Sequence, residues 1–359
     1  MRQALIVAHW LTDFGGLHEN VLDTAAGLVA GGWQVTVVAP AALVMPRFIA
    51  AGIRFVPHPL EDPAAGAAAA LAHGPFDIVH AHPFQARRVG MAVAAALGVP
   101  LVVTLHGQYD DEFEQYGVLV RRIVCVSQAV ADYVDARAPI LADRLAVIPN
   151  GVDFDVFAPL DAPLSGRRKT IAVCSRLDPD KGVLAQAVAD LAKGLAAAPR
   201  DPMVLLVAGD RLYGPAENPF TAAIDSAAAN AGIELVRCGW LADREALRRF
   251  YGAADVVVAP GRAAMEAIAC AVPTIAAASR GYIGLVTRDS LALAQATNFG
   301  GVQLPATHYR PGSILDDVRR AFAMPNTETR VLRGRLRDIH DIGSIQSAHV
   351  ALYDSLCRS

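Results

Sequence analysis

Two stretches decide the fold of this chain: Ser175-Arg-Leu-Asp-Pro-Asp-Lys-Gly182 and Gly261-Arg-Ala-Ala-Met-Glu-Ala-Ile-Ala-Cys270. Each stretch follows a short apolar run that is typical of a buried parallel strand, and each leads into a segment with helical spacing. Open α/β sheets bind their ligands at the carboxyl edge of the strands. The sequence therefore predicts that Arg176, Lys181 and Glu266 lie at one edge of one sheet.

The alternation of strand and helix continues on both sides of these stretches. Short apolar runs predict strands at Thr170–Cys174, Val204–Ala208, Glu234–Cys238, Asp255–Ala259 and Thr274–Ala278. Helical spacing predicts helices near Val183–Ala197, Phe220–Asn230, Arg244–Tyr251 and Ala264–Ala271. Strands that alternate with helices in this way indicate a doubly wound parallel sheet.

The first half of the chain repeats the pattern, with a helix over Leu17–Val29 and strands at Ala4–His9, Gln34–Ala39, Arg54–Pro57, Asp77–Ala81, Leu101–Leu105, Ile123–Val126 and Leu145–Ile148. Pro149-Asn150-Gly151 is a strong turn signal, and the segment that follows it to Gly166 has little periodicity. A chain of 359 residues is long enough for two domains. We therefore predict an α/β protein with two Rossmann-like domains, residues 1–160 and 166–340, and a closing amphipathic helix within residues 344–359.

Charge is distributed unevenly along the chain. Residues 1–160 hold 9 Lys and Arg against 15 Asp and Glu, whereas residues 161–359 hold 23 against 20. An acidic first half argues against nucleic acid or an anionic membrane surface as the main partner, and a cationic second half suits a polyanionic ligand. We assign the run Arg330, Arg333, Arg335 and Arg337 to a solvated helix face. No apolar run predicts a membrane span, and we expect a cytoplasmic protein.

The two stretches of the second half suggest a site for a nucleotide sugar. Arg176 and Lys181 suit a diphosphate, while a carboxylate such as that of Glu266 accepts hydrogen bonds from two ribose hydroxyls. Gly209-Asp210 follows the next strand and should reach the same edge. Glu266 stands in an otherwise apolar helical segment, where a carboxylate without a partner is costly, so a ligand role explains its presence.

The first half offers a glycine loop and three histidines. Asp13-Phe14-Gly15-Gly16 joins the first strand to the first helix, so this loop either binds an anion or is only a tight turn. His80 and His82 point to one side of a strand, and with His106 their spacing permits a metal site. Hydrogen bonding is the alternative, and we expect no metal. His106 ends a strand, which favours a substrate contact.

An acidic cluster follows His106. Asp110, Asp111, Glu112 and Glu114 occupy what should be a loop. Such a loop is typically solvated, and this is one interpretation. The other is that Asp110 and Asp111 attract a cationic, amino-bearing acceptor, because an acidic cleft concentrates positive charge.

The ordered motifs of this chain resemble retaining glycosyltransferases of family 4, which have the GT-B fold. The resemblance extends over nearly the whole chain through Gly15-Gly16, Asp77-Ile-Val-His80, Thr104-Leu-His106-Gly107, Cys125-Val-Ser127, Val147-Ile-Pro-Asn150-Gly-Val-Asp153, Ser175 to Gly182, Ala208-Gly-Asp210 and Glu266-Ala-Ile-Ala269. It implies an acceptor-binding first domain and a donor-binding second domain that face a central cleft. It also implies that the terminal helix crosses back to the first domain.

The resemblance implies roles for individual residues. Arg176 and Lys181 would bind the donor phosphates, Glu266 the ribose, and His106 would lie beside the transferred sugar. Gly15, Gly16, Gly209, Asp210 and Gly261 would complete the donor site. The family usually has a further glutamate eight positions before Glu266, where this chain has Val258. Arg262 either contacts the phosphate or sugar or forms an ion pair with a surface carboxylate.

The activity implied is transfer of a sugar, with a UDP-sugar favoured as donor, to a hydroxyl of a small molecule or glycoconjugate. Retention at the anomeric carbon, no metal and no other cofactor are expected, because Arg176, Lys181 and helix amino-termini would neutralise the leaving diphosphate. Two alternatives remain at this point. One is a sugar-nucleotide epimerase on a similar frame, and the other is a binding protein that has lost catalysis, which Val258 motivates.

Overall fold

The computed structural model describes residues 2–117, 119–160, 168–197, 203–211, 218–230, 233–302 and 304–358. Strands in these ranges are β1 (Gln3–Val7), β2 (Gln34–Ala39), β3 (Arg54–Pro57), β4 (Ile78–Ala81), β5 (Leu101–Leu105), β6 (Val120–Cys125), β7 (Leu145–Val147), β8 (Lys169–Cys174), β9 (Met203–Ala208), β10 (Glu234–Gly239), β11 (Val256–Ala259), β12 (Thr274–Ala277) and β13 (Tyr282–Leu285).

The α-helices are α1 (Gly16–Ala30), α2 (Met45–Ala50), α3 (Pro63–Leu71), α4 (Gln85–Leu97), α5 (Gln128–Arg137), α6 (Gly182–Ala197), α7 (Pro219–Asn230), α8 (Arg244–Gly252), α9 (Gly261–Ala269), α10 (Leu291–Ala296), α11 (Ser313–Phe322), α12 (Asn326–His340) and α13 (Ile342–Leu356). Every strand predicted from an apolar run is present within a few residues of its expected bounds. None of the described helices is both long enough and apolar enough to cross a membrane.

The first unit comprises Met1–Gly151 and Ile342–Ser359. Its strands form one parallel sheet in the order β3-β2-β1-β4-β5-β6-β7. Strand order reverses between β1 and β4, and at such a reversal the chain leaves the two strands in opposite directions and opens a crevice at their carboxyl ends. The glycine loop after β1 and His82 after β4 flank this crevice.

The second unit comprises Val152–Asp341. Its sheet has the order β10-β9-β8-β11-β12-β13, and all pairs are parallel except β12 with β13. The reversal lies between β8 and β11, the two strands that precede the stretches quoted first. The sequence did not predict β13, because a four-residue edge strand that contains Gly284 gives almost no periodic signal.

The division between the units falls at Gly151/Val152, which corrects the predicted first domain of residues 1–160. Val152 forms a bridge with Asp341, and Phe154 and Phe157 are buried in the second unit's hydrophobic core. Each of these aromatic side chains removes a large apolar area from water when it packs in that core. Residues 152–160 therefore belong to the second unit. The remainder of the predicted linker, residues 161–166, lies outside the described residues.

The terminal helix α13 belongs to the first unit and packs on α1, as the GT-B resemblance implied. A side chain at Gly27 would approach Gln346 to 2.6 Å, and one at Gly31 would approach Val350 to 2.9 Å. Two glycines one helical turn apart therefore let the helices approach closely. Gln346 also donates a hydrogen bond to the backbone carbonyl of Asp23 at 3.0 Å.

Helix α12 carries the four arginines that the sequence assigns to a solvated helix face, and Arg333 departs from that prediction. Arg330, Arg335 and Arg337 are exposed, in keeping with a solvated face. Arg333 is instead half-buried: it donates to the backbone carbonyls of Ala269 at 2.7 Å and Phe154 at 2.9 Å. Those carbonyls are fixed by tertiary packing, so the periodicity of α12 alone did not distinguish Arg333 from its neighbours.

Candidate active site

The loop from β8 to α6 brings Arg176 and Lys181 onto one carboxylate. Lys181 Nζ lies 2.8 Å and Arg176 Nη2 lies 3.3 Å from Oδ2 of Asp180. Arg176 also pairs with Asp178, whose side chain is fully buried. The Arg176 side chain remains 31% exposed, so it can move toward a ligand. The two cations thus lie close together at one carboxylate, as the sequence predicts.

Lys181 is fixed from a second side by the segment after β12. Its Nζ lies 3.1 Å from Oγ of Ser279, and the backbone N–H of Leu184 donates to the carbonyl of Ala278 at 3.0 Å. Burial and the neighbouring positive charge of Arg176 lower the pKa of Lys181. An additional anion beside the ammonium group would offset both effects, so this place favours a negatively charged ligand.

Gly209 has a steric reason to be glycine. Its φ is +117°, and a Cβ atom there would lie 1.9 Å from the carbonyl oxygen of Ser175. The backbone N–H of Leu177 donates to the carbonyl of Asp210 at 3.1 Å, which ties the loop after β9 to the loop of Arg176. The Asp210 side chain is exposed and accepts from the backbone N–H of Arg211 at 2.7 Å. A donor contact by Gly209 or Asp210 remains a prediction.

Glu266 lies in the second turn of α9 and is only 6% exposed. Its Oε1 accepts from Arg262 Nε at 2.9 Å, and its Oε2 accepts from the hydroxyl of Tyr251 at 3.0 Å. The sequence predicts a carboxylate without a partner in the protein at this position, so that a ligand role would explain its presence. The structure corrects this, because a residue four positions away on the same helix supplies a buried ion pair.

Arg262 forms an ion pair, as one of the two alternatives predicted, while a contact with the donor phosphate or sugar remains a prediction. Its ion-pair partner is Glu266, and both side chains are buried rather than on the surface. Gly261, at the first position of α9, has φ +45° and donates its backbone N–H to the carbonyl of Phe299 at 3.2 Å. The amino-terminus of α9 is therefore held by the segment that follows α10.

Tyr251 is a site residue that the sequence argument missed. The hydroxyl that donates to Glu266 also lies 3.5 Å from Sγ of Cys174, the last residue of β8. Burial, together with the negative charge of Glu266, raises the pKa of Cys174 to about 12, so its protonated thiol can donate to the tyrosine oxygen. A tyrosine at the end of the arginine-rich α8 gives no local sign of this contact.

Neighbouring strands bring the two halves of the predicted donor site to the same sheet edge. Strands β8 and β11 pair with Val173 opposite Val258. Arg176 follows β8 by two residues, while α9 begins two residues after β11. Val258 itself is fully buried in the hydrophobic core, where it packs among apolar side chains. Convergence of Arg176, Lys181 and Glu266 on one nucleoside remains a prediction.

The glycine loop of the first unit opens α1. Gly15 has φ +154°, and the backbone N–H of Glu19 donates to its carbonyl at 3.2 Å. A Cβ atom at Gly16 would meet nothing within 4 Å, so the space beside it is open. Glu19 is held by Arg47, whose Nη2 lies 2.9 Å from its Oε2. Both interpretations of this loop, anion site and tight turn, fit the geometry.

The histidines contact one another and nearby hydroxyl groups. His82 Nδ1 lies 2.8 Å from His106 Nε2. His80 Nε2 lies 2.7 Å from Oγ1 of Thr104, and its Nδ1 lies 2.5 Å from the hydroxyl of Tyr353. Within the described ranges, no group of three ligating side chains is placed to hold a metal ion. Nitrogens at hydrogen-bond distance from each other favour the hydrogen-bonding alternative for this cluster.

His106 lies directly after β5, at the carboxyl edge where the sequence placed it. Its side chain is half-buried, and its backbone N–H donates to the hydroxyl of Tyr109 at 2.8 Å. Burial lowers the pKa of His106 to about 4. The imidazole is therefore neutral at pH 7, and it can act toward a ligand as a hydrogen-bond donor or acceptor rather than as a cation.

Two members of the acidic cluster, Asp111 and Glu112, belong to an ion-pair network that neither interpretation of the cluster included. The buried carboxylate of Asp111 lies 3.0 Å from Nε of the buried Arg87 and accepts from the hydroxyl of Tyr116 at 2.8 Å. Glu112 pairs with Arg87 and also with Arg88, 2.9 Å away. Asp111 is therefore shielded from solvent and already paired with a guanidinium group. Its contact with an acceptor remains a prediction.

Asp110 is the exposed member of the cluster, and its Oδ1 accepts from the backbone N–H of Glu112 at 3.0 Å. Its contact with an acceptor remains a prediction. Nothing in the local sequence identifies Arg87 and Arg88 as partners of the cluster, because they lie on α4, more than 20 positions before the carboxylates that they bind. Only the packing of β4 beside β5 brings the two segments together.

Two family models match the chain in succession. Residues 14–156 match the model described as Glycosyltransferase Family 4, and residues 161–295 match the model described as Glycosyl transferases group 1. The D-inositol 3-phosphate glycosyltransferase of Stackebrandtia nassauensis is 30% identical in an alignment 329 positions long, and the match covers 75% of this chain and 72% of that protein. The phosphatidyl-myo-inositol mannosyltransferase of Mycolicibacterium smegmatis is 26% identical in an alignment 235 positions long, and the match covers 58% of this chain and 60% of that protein.

Solved structures share the fold at low sequence identity. A glycosyltransferase from Rickettsia africae superposes with a TM-score of 0.76 at 16% identity, covering 100% of this chain and 99% of that chain. Anabaena Alr3699/HepE in complex with UDP-glucose gives 0.73 at 18% identity, covering 98% and 100%. Two Rossmann-like units of this kind are typical of the GT-B fold. The chain belongs to glycosyltransferase family 4.

Proposed function

We propose that this enzyme transfers a sugar from a nucleoside diphosphate sugar, with a UDP-sugar favoured, to a hydroxyl of a small-molecule or glycoconjugate acceptor. We further propose that transfer proceeds with retention and without a metal ion. The observation that carries the proposal is the pair of cations, Arg176 and Lys181, on Asp180 at the carboxyl edge of β8. The cytoplasmic location remains a prediction.

The chemistry of the leaving group supports this role for the two cations. When the bond between the anomeric carbon and the phosphate breaks, negative charge develops on the diphosphate. Arg176 and Lys181 can neutralise that charge in place of a divalent metal. Both groups already share an anionic partner, so binding of a diphosphate would exchange one carboxylate for another anion and would not require burying two bare cations.

The contacts of Glu266 support a role in binding the ribose. Arg262 and Tyr251 each bind one carboxylate oxygen of Glu266, which fixes the orientation of the group. Each carboxylate oxygen has two lone pairs, so the carboxylate can still accept from a hydroxyl. A carboxylate that is oriented before the ligand binds loses less side-chain entropy when it forms hydrogen bonds to a ribose.

The names of the relatives suggest which acceptors to test first. Two kinds of curated relative are named for inositol-containing acceptors, D-inositol 3-phosphate and phosphatidyl-myo-inositol. We therefore extend the proposal to a polyhydroxylated ring, such as an inositol phosphate, as the acceptor class. This choice differs from the amino-bearing acceptor suggested by the acidic cluster, and the ion pairs of Asp111 remove most of the support for that idea.

A transfer assay tests the proposal directly. The enzyme is incubated with UDP-glucose or GDP-mannose, with and without D-inositol 3-phosphate, in the presence of EDTA, and release of nucleoside diphosphate is measured. We expect release that depends on acceptor, persists in EDTA and gives a product whose anomeric configuration, read by NMR, matches the donor. Donor conversion without acceptor would indicate an epimerase. Binding without turnover across a broad acceptor panel, or inversion in the product, would contradict the proposal.

A further inference from the structure

His82 is a buried imidazole that the proposed function does not use. It is 1% exposed and lies at the carboxyl end of β4, where its backbone N–H donates to the carbonyl of Val7 at 2.9 Å. Its Nδ1 lies 2.8 Å from Nε2 of His106. His106 is the residue expected beside the transferred sugar. His82 therefore reaches the candidate active site through the side chain of His106.

The two rings meet edge to edge in nearly one plane. Their planes differ by 12° and their centroids are 5.0 Å apart, while the facing nitrogens are 2.8 Å apart. The distance between the ring centroids exceeds the distance between the facing nitrogens by about two ring radii. Both nitrogens therefore lie on the line that joins the centroids, and the hydrogen bond lies in the plane of both rings. The lone pair of an imidazole nitrogen lies in the same plane, so this is the favourable geometry for an N–H···N bond.

A neutral pair of this kind has two proton arrangements. Burial lowers the pKa of both histidines, so each ring carries one N–H at neutral pH. Either His82 donates from Nδ1 to His106 Nε2, or His106 donates from Nε2 to His82 Nδ1. In the first arrangement the proton of His106 is on Nδ1, and in the second Nδ1 of His106 is a bare acceptor.

The other nitrogen of His82 distinguishes the two arrangements. His82 Nε2 is closed to solvent and has no hydrogen-bond partner among the described residues. The second arrangement would put the proton of His82 on this nitrogen and leave a buried N–H without an acceptor. Buried N–H groups without a partner are rarer in native proteins than under-used acceptors. The first arrangement avoids such a group.

We propose that His82 is a positioning residue that holds His106 in the tautomer with its proton on Nδ1. His106 then presents an N–H donor, and not a basic lone pair, to a hydroxyl of the bound substrate. The substrate contact rests on the proposed function, whereas the tautomer does not. Unlike Nε2, the Nδ1 atom of His106 makes no hydrogen bond with any described residue, so it is available to a ligand.

The ring of His80 packs on His82 and supports the contact between His82 and His106. His80, two residues earlier on the same face of β4, is stacked on His82 with centroids 5.1 Å apart and planes 19° apart. His80 is itself bonded to Thr104 and Tyr353. The parallel pairing of β4 with β5 that brings His80 to Thr104 therefore also brings His82 to His106.

Nitrogen NMR of histidine-labelled protein without substrate tests the tautomer. We expect His106 in the wild type to show a protonated, pyrrole-type Nδ1 and an unprotonated, pyridine-type Nε2. His82→Phe keeps a ring but removes the donor, so the proton of His106 should move to Nε2, the position that free imidazole side chains prefer. His82→Asn places an N–H near the former Nδ1 and should restore the wild-type pattern. Protonated Nε2 of His106 in the wild type would overturn the proposal.

His349→Phe is the matched control. His349 is a buried imidazole of α13 whose ring centroid lies 6.3 Å from that of His80, and it makes no bond to His106. This variant should leave the His106 signals unchanged, and thermal unfolding of each variant checks that it is folded. If His82→Phe does not fold, the wild-type and His82→Asn spectra still decide the tautomer.

Steady-state kinetics test the consequence for transfer. We expect His82→Phe to lower kcat about tenfold with little change in the donor dissociation constant, and His82→Asn to recover most of the loss. An unchanged tautomer in His82→Phe, or equal activity of His82→Phe and wild type, would contradict the positioning role. Failure of the proposed function would instead appear as absent transfer by the wild type, while the NMR result stands independently.

Discussion

The hydroxyl of Tyr251 lies 3.0 Å from Oε2 of Glu266 and joins the end of α8 to the second turn of α9. The same oxygen faces the thiol of Cys174, so one tyrosine connects the last residue of β8 with the carboxylate expected to bind the ribose. Since the loop of Arg176 begins directly after Cys174, this contact links the two halves of the predicted donor site within the second unit.

Tyr251→Phe should therefore weaken nucleotide binding with little loss of fold. The variant keeps the buried ring but removes the hydroxyl that orients Glu266, and a buried hydrogen bond to a charged group contributes about 1.5–3 kcal/mol. We expect the dissociation constant of UDP, measured by calorimetry, to rise about tenfold. Glu266→Ala should weaken binding at least as much.

Tyr309→Phe is the matched control for that experiment. Tyr309 donates to Asp190 of α6 at 2.8 Å in the same unit and makes no contact with α9. Its variant loses a comparable tyrosine-to-carboxylate hydrogen bond, so it corrects for a general loss of stability. Equal affinities in Tyr251→Phe and Tyr309→Phe would show that orientation of Glu266 does not matter for the nucleotide.

Arg176→Ala and Lys181→Ala should each slow transfer more than tenfold. Each cation is assigned to the charge that develops on the leaving diphosphate, a role that typically contributes about 2–4 kcal/mol to the transition state. The measurement is kcat/KM for the donor. Lys193→Ala, an exposed lysine on α6, is the control for a general change in charge and should have no effect. Losses below threefold at both positions would contradict the assigned roles.

Asp111→Asn should destabilise the first unit strongly. The substitution leaves the buried guanidinium of Arg87 without one of its two carboxylates, and breaking a buried ion pair costs about 3–5 kcal/mol. Urea unfolding gives the free energy. Asp110→Asn, at the exposed neighbouring position, should change it by less than about 0.5 kcal/mol. If Asp110→Asn nevertheless raises the acceptor KM in a salt-dependent manner, Asp110 contributes to acceptor binding.

The first unit should lose stability as the pH falls from about 6.5 toward 4. Burial lowers the pKa of His18, His106 and His349 to about 4, and it lowers those of His80 and His82 well below their usual value. In the unfolded chain these groups titrate near 6.5. Between the two values the unfolded chain binds protons that the folded protein does not, so each histidine can contribute up to about 1.4 kcal/mol per pH unit to the loss.

The melting temperature measured between pH 7.5 and 5 tests this expectation. His349→Phe removes one buried imidazole and should reduce the dependence of melting temperature on pH. A melting temperature that is constant over this range would mean that the histidines are accessible to protons in the folded protein.

Local sequence patterns were sufficient for most of the fold and for the class of enzyme. Apolar runs mark the strands, because a strand in a parallel sheet is buried on both faces, and helical spacing marks α1, α6 and α13. The same patterns placed Arg176 and Lys181 after β8 and His106 after β5, since the carboxyl ends of parallel strands share an edge. The same patterns did not predict the edge strand β13, because four residues are too few to show a periodic pattern.

Tertiary structure decided which polar groups meet. Asp111 is bound by Arg87, Glu266 by Tyr251, and His106 by His82, and each pair joins segments between 15 and 24 positions apart. A periodic signal reports whether a side chain faces the core, but it carries no information on which distant side chain lies opposite. The sequence by itself determined the two Rossmann-like folds and the edge that holds the candidate site. Packing of neighbouring strands and helices determined the partners and charge states of its residues, because burial and hydrogen bonding depend on three-dimensional proximity.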